Sequence, residues 1–285
     1  QAQVEGDALG FTWTWGDGQS TANVYLVQHA FASGGVFDVV LTASNVDSSA
    51  AATVTVTVIE NPVYHVAPGG GHVPPFMDWT NAATDIQSAV DVSIPGSLVL
   101  VSNGVYATGG ITNYPAASAL TNRVAIHRPI TLRSVHGPAE TFIVGNRDAA
   151  VNGPAAVRCA YLGPGAALIG FTLTNGATLA AGDAARNQSG GGLWCDPSAL
   201  AVSNCVMIGN NARVSGGGTY AGVFQNCLFS ANVASNGGGA YQSALTDCRL
   251  ERNTARGQGG GAHQGVPPGC MVPGNVAALC GGGVS

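Results

Sequence analysis

The sequence predicts an all-β chain: a right-handed parallel β-helix with an N-terminal capping helix, preceded by a small antiparallel β-sandwich. Three recurrences carry the prediction. Gly triplets begin at 190, 216, 237, 259 and 281, Cys recurs at 205, 227, 248 and 270, and Asn recurs at 210, 232, 253 and 275. The Cys and Asn sets advance by the same steps of 22, 21 and 22 residues, and a short fixed period marks a solenoid in which each repeat stacks on the last. Composition agrees. Of 285 residues 9% are charged and 42 are Gly, a mix too apolar for disorder and too rich in Gly for helices.

The first element spans residues 1–60. Phe11, Trp13 and Trp15 share one face of an alternating run, and Gly16-Asp17-Gly18 supplies a tight turn. Val36, Val39 and Leu41 belong to a second run, and Val54, Val56 and Val58 alternate with Thr in a third. Trp13-Thr-Trp15-Gly16-Asp17-Gly18, then His29-Ala-Phe31, then Gly35-Val-Phe37-Asp-Val39-Val-Leu41 with Asn45, resemble the PKD domain. That resemblance implies an Ig-like spacer of extracellular proteins, without chemistry of its own. The leading strands look short, so the module is expected to be incomplete. Asp17 reads as a turn residue rather than a metal ligand. Gln1–Val4 shows neither the basic nor the apolar region of a signal peptide, so the sequence is read as starting inside a longer protein.

Residues 61–97 read as linker and capping helix. Gly69-Gly-Gly71 and Pro74-Pro75 mark loops. Trp79 to Val92 reads as one amphipathic helix, capped by Thr80 or Asn81 and stopped by Pro95-Gly96. Such a lid is what the first coil of a β-helix requires, because its edge is otherwise unpaired.

The β-helix is expected over 98–285. Leu98–Val101, Val124–Ile126, Ile130–Leu132, Thr141–Val144 and Ala167–Thr174 read as irregular early rungs. In the regular coils, alternation pairs Cys205 with Met207, Cys227 with Phe229, Cys248 with Leu250 and Cys270 with Val272. The opposite face carries Val206, Leu228, Arg249 and Met271. Arg249 belongs outside, which places the Cys column inside as small hydrophobes. The Asn column falls at a strand end, where each amide can bond the one above and below, and the Gly triplets permit a corner. Phe229-Ser-Ala-Asn232 with Gly237-Gly-Gly-Ala240 resembles the repeats of polymorphic outer membrane proteins. The stretch from Tyr64-His-Val-Ala-Pro through Gly170-Phe-Thr-Leu-Thr-Asn-Gly176 resembles pectin-lyase-like β-helix proteins of bacterial surfaces. A fresh Gly triplet stands just before Ser285, so further coils are expected beyond it.

Function is less legible. Ten basic residues against fifteen acidic ones, with a net charge of −5, argue against nucleic acid as a partner. No run is long enough for a membrane-spanning helix, and the seven Cys form no CxxC pair, so neither a metal site nor a cofactor is expected. Trp194, Tyr220, Tyr241 and His263 follow the Gly triplets at one offset. With Leu193, Thr219, Ala240 and Ala262 turned inward, their rings form an outward strip that offers aromatic faces to sugars. Asp183, Asp196, Asp247 and Glu251, with Arg249 and Arg252, are dispersed over three coils and do not make the paired carboxylates of a glycosidase. No catalytic residue is assigned. The sequence points to an extracellular or cell-surface protein, non-catalytic in this stretch, for adhesion or for binding a polysaccharide or host glycan. The alternative it leaves open is a polysaccharide lyase or glycoside hydrolase of the pectin-lyase-like superfamily.

Overall fold

The computed structural model of the chain describes residues 8–24, 26–58, 60–149, 151–265 and 269–285. Gln1–Val4 therefore lies outside the described residues. The chain divides into two units, Gln1–Asn61 and Pro62–Ser285.

Among the described residues the N-terminal unit is one antiparallel sheet of four strands. Its order is Ser20–Ala22, Gly10–Thr14, Gly35–Ser44, Ser49–Val58. Alternation places Phe11, Trp13, Trp15, Phe37, Val39 and Leu41 on one face, with Trp13 opposite Leu41. Trp15 and Leu41 are buried. His29 covers Trp15, its ring stacked at 4.5 Å, and Phe31 packs edge-on against His29. Asp17 is a turn residue: one carboxylate oxygen accepts the Gln19 N–H at 3.0 Å and the other meets His29 Nε2 at 2.7 Å. That bond to His29 holds the Asp17 carboxyl below its ordinary range.

The second unit is a parallel β-helix with three main walls. Wall one stacks Thr121–Ile126, Val157–Leu162, Leu193–Cys195, Thr219–Tyr220, Ala240–Tyr241 and Ala262–His263. Wall two stacks Val63–Val66, Leu98–Val101, Thr131–Ser134, Ala167–Ile169, Ala201–Ser203, Val223–Gln225 and Ala244–Thr246. Wall three stacks Gly104–Tyr106, Thr141–Val144, Thr172–Thr174, Val206–Ile208, Leu228–Ser230 and Arg249–Glu251. A short fourth stack, Val233–Ala234, Thr254–Ala255 and Val276–Ala277, follows wall three in the last coils. Every neighbouring pair in these walls is parallel, so each strand reaches its partner only after a full coil.

The core is the inside of this coil stack. Leu132, Leu168, Val202 and Phe224 stack from wall two, Leu173, Met207, Phe229 and Leu250 from wall three, and all are at most 0% to 1% exposed. Each such side chain contributes about 1.5–3 kcal/mol by leaving water. The Cys column lies where alternation put it: Cys205, Cys227 and Cys248 are buried, and the register Val206–Leu228–Arg249–Met271 stacks them and Cys270 coil upon coil. Met271 and Arg249 face out. Burial pushes the Cys159 thiol up to about 12 and raises that of Cys195 further.

The Asn column is a continuous interior ladder. Asn232 Oδ1 accepts the Asn210 N–H at 2.9 Å and Asn210 Nδ2 at 3.1 Å. Asn232 Nδ2 donates to the Met207 carbonyl at 2.8 Å and to Asn253 Oδ1 at 2.9 Å. Asn253 repeats this with Asn275 and the Phe229 carbonyl. Each amide thus ties its own coil to the one before and to the one after.

Three features differ from the sequence reading. First, the three glycines of a triplet serve two purposes. Gly237 takes φ +60° and turns the corner, whereas a Cβ on Gly238 would lie 2.6 Å from the Gly260 and Thr254 carbonyl oxygens. The second position is thus set by coil-to-coil contact rather than by bending. Second, residues 61–97 are more than linker and helix, since Val63–Val66 is the first strand of wall two, paired with Leu98–Val101. Third, the helix is Ile86–Val92, not Trp79–Val92, and its cap is Asp85, whose side chain accepts the Ser88 N–H at 2.9 Å, rather than Thr80 or Asn81. The reason is local competition. Asp78 closes a turn onto Asn81, and Ala83 exchanges bonds with His65 and Ala67, so this segment pairs with the first strand instead of winding. Ile86, Ala89 and Val90 bury the helix face in the core cluster at the first coil.

Candidate functional site

Wall one carries the site. Trp194, Tyr220, Tyr241 and His263 are in strict register, each the cross-strand partner of the next. Leu193, Thr219, Ala240 and Ala262 point inward and are 2% exposed or less, so the four rings stand on the outer surface, half-buried. Their centroids are 5.8, 5.5 and 5.4 Å apart with interplanar angles of 14°, 12° and 27°. These separations exceed the ~4.8 Å strand spacing, so the rings are offset as they stack.

The ladder extends beyond the four positions legible in the sequence. Tyr161 pairs with Trp194 in register and stacks on it at 5.6 Å. Tyr114, from a loop, covers Tyr161 at 5.5 Å, and His127 stacks on Tyr114 at 5.1 Å. Ala160-Tyr161-Leu162 has the same inward–ring–inward pattern as Leu193-Trp194-Cys195. That pattern was the available signal, hidden because the loop at 177–190 breaks the period.

This geometry alters what the strip presents. The ring faces turn toward one another along the coil axis, so solvent meets slanted rims and hydroxyls instead of open faces. Trp194 Nε1 donates to the Ala185 carbonyl at 3.1 Å, and His263 Nδ1 lies 2.8 Å from Ser285 Oγ. The Tyr161, Tyr220 and Tyr241 hydroxyls have no partner among the described residues, leaving a row of groups that both donate and accept. Burial, then the Asp196 carboxylate, push the Tyr161 phenol up to about 12. Burial, then Tyr241 and Asp183, raise that of Tyr220. The Tyr161 and Tyr220 phenols therefore stay protonated over the physiological range.

A loop at 177–190 borders the ladder, and a buried arginine holds it. Arg158 is 0% exposed. Its Nε donates to the Gly190 carbonyl at 2.8 Å, Nη2 to those of Arg186 and Ser189 at 2.7 and 2.8 Å, and Nη1 to Asn122 Oδ1 at 3.0 Å. No carboxylate joins this set, and burial pushes the guanidinium down to about 9. Asn187 Oδ1, on the same loop, accepts from Ser118 Oγ at 2.9 Å and the Ala119 N–H at 3.0 Å. Sequence reading did not single out Arg158, because nothing in its spacing marks a charge destined for the interior.

Three of the four coil carboxylates singled out in the sequence are engaged locally, and Asp247 is exposed. Asp183 accepts the Ala185 and Arg186 N–H groups, Asp196 that of Ser198, and Glu251 pairs with Arg249 at 2.6 Å. Among the described residues no group of three or more His, Cys, Asp or Glu side chains gathers as a metal site.

No curated protein sequence matches the chain. Solved structures with a similar course include pectin methylesterase from carrot (14% identity, TM-score 0.41, covering 72% of this chain and 59% of that one). Pectin methylesterase PemA from Erwinia chrysanthemi (10%, TM-score 0.42, covering 74% and 61%) and a rhamnogalacturonan lyase (11%, TM-score 0.38, covering 74% and 51%) are also similar. The chain thus spans less than two thirds of the length of any of the three. The PKD domain family matches residues 1–58, the part of the chain that holds the N-terminal sheet.

Proposed function

We propose that this chain is a non-catalytic, extracellular or surface-displayed solenoid that binds an extended polysaccharide along the outer face of wall one. The observation that carries this reading is the unbroken ring ladder from Tyr161 to His263, in register over five coils. Its step is of the order of one sugar residue in an extended chain, so one pyranose can rest against each rung. Ring rims supply apolar contact and the phenol hydroxyls supply hydrogen bonds, which together suit a carbohydrate better than a purely apolar ligand. The rungs are preorganised by the strands, so little side-chain freedom is lost on binding. The PKD match at residues 1–58 supports a location outside the cell.

A glycan panel tests the proposal, run on the parent chain and on Trp194→Ala and Tyr241→Ala. The parent is expected to bind at least one polysaccharide, and each variant to lose roughly tenfold in affinity, the scale of one lost aromatic contact of ~1.4 kcal/mol. Equal binding by both variants and the parent discards the ladder as the site.

A further inference from the structure

Resting on the reading of the ladder as a polysaccharide site, we infer that it selects an uncharged polysaccharide and rejects polyuronates. The inference follows from where the chain places its charges. All ten basic residues are Arg, and, Arg186 apart, the guanidinium groups named here on and beside wall one are committed to the protein. Arg158 is buried under the loop at 177–190. Arg123 donates to the Val144 carbonyl at 2.8 Å and also to that of Gly109. Arg128, near the His127 end, donates to the Ser93 carbonyl at 2.6 Å. Arg249 lies on wall three, paired with Glu251.

The acidic groups, by contrast, flank the rings. Asp196 follows Trp194 by two residues, and its N–H bonds the carbonyl of Leu162, the neighbour of Tyr161, at 2.8 Å. Asp183 sits on the loop whose Ala185 carbonyl accepts from Trp194, and its charge reaches the Tyr220 phenol. The same loop carries Arg186, whose side chain is exposed, and its charge offsets that of Asp183 in part. Beyond these, the ladder is lined by neutral polar groups, with Gln242 Nε2 bonded to Gln264 Oε1 at 2.9 Å one residue past Tyr241 and His263. A uronate chain carries a carboxylate on every sugar, and a free arginine is the side chain best suited to hold one. Here the uronate chain meets carboxylates at two steps and phenols, amides or the His263 imidazole at the others, and like charges placed side by side oppose binding. A neutral glycan meets no such penalty.

Affinity electrophoresis of the full chain tests this, with hydroxyethylcellulose and galactomannan as neutral probes and polygalacturonate and alginate as anionic ones. A neutral probe is expected to bind at least about tenfold more tightly than either polyuronate. Raising salt is expected to narrow that gap by screening, and Asp183→Asn combined with Asp196→Asn is expected to narrow it at low salt. Polyuronate binding equal to or tighter than neutral binding, and lost in Tyr241→Ala, overturns the selectivity while leaving the ladder as a site. Absence of binding to every probe overturns both readings. Exclusion of polyuronates that persists unchanged in the double Asn variant overturns the assignment of selectivity to these two carboxylates.

Discussion

Asn232→Ala is the sharpest test of the solenoid interior. Asn232 is 0% exposed, and its amide makes four bonds, two accepted from Asn210 and two donated, to the Met207 carbonyl and Asn253 Oδ1. Removal leaves the Asn210 N–H buried with no partner, and the Met207 carbonyl keeps only its ladder bond to the neighbouring strand Leu228–Ser230. That orphan costs roughly 1–3 kcal/mol, and the small cavity adds to it, so the loss is expected near 3 kcal/mol. Asn253 Oδ1 keeps the backbone N–H of residue 232 at 3.0 Å and adds little. Asn275→Ala supplies the internal control. It removes the same kinds of bond at the half-buried end of the ladder, where water replaces them, and is expected to cost only about 1 kcal/mol. Guanidinium unfolding followed by far-UV circular dichroism reads both. An Asn232→Ala loss below about 1 kcal/mol, or one no larger than that of Asn275→Ala, refutes the claim that the ladder is a dry, fully bonded array.

Other predictions follow from single observations. Gly238→Ala is expected to destabilise by about 3 kcal/mol, because its Cβ would press on two carbonyl oxygens. Ala231→Gly, at φ +53°, is expected to stabilise by about 1 kcal/mol, and thermal melts that reverse this order contradict the account of the corners. Stability should fall above pH 9. The buried thiols of Cys159 and Cys195 keep their protons to about 12 or beyond in the fold but lose them near 9 when unfolded, so the unfolded state gains about 1.4 kcal/mol per thiol by pH 10. Arg158 acts with the opposite sign, since a guanidinium held down to about 9 favours the fold as pH rises past that value, and it cancels one thiol. The net change is therefore downward, by about 1.4 kcal/mol at pH 10, and Cys195→Ala should flatten it; a melt that does not change between pH 8 and 10 contradicts the burial. Arg158→Met frees four bonds that anchor the loop at 177–190 and should speed tryptic cleavage after the exposed Arg186; an unchanged cleavage rate contradicts its role as the anchor.

The regular coils were readable because one coil equals one sequence period. Once Cys205, Cys227, Cys248 and Cys270 are set in a column, alternation fixes the inner and outer faces of their strand, and the Gly triplets at a fixed offset do the same for Trp194, Tyr220, Tyr241 and His263. Tyr161 and Tyr114 escaped because the early coils carry loops of unequal length, and a register cannot be counted across a loop. Arg158 escaped for a different reason. A charged side chain in a strand reads as exposed, and only three backbone carbonyls converging from the loop at 177–190 make its burial tenable. The start of the helix was misplaced because Ala82, Ala83 and Ile86 fit a helical stripe. The bonds of Ala83 to His65 and Ala67, which involve a strand some twenty residues away, decided otherwise. Tilt is likewise invisible in sequence. The spacing that put four rings on one face did not reveal that they would stack on one another and turn their rims outward.

The central claim is that the ring ladder of wall one is a saccharide site, and a crystal structure of the chain with a neutral oligosaccharide long enough to cross several coils tests it most directly. The account predicts sugar residues lying along Tyr161, Trp194, Tyr220 and Tyr241, one per rung, with hydroxyls bonded to the phenols. Sugar found only on another wall, with the ladder bare, would contradict it.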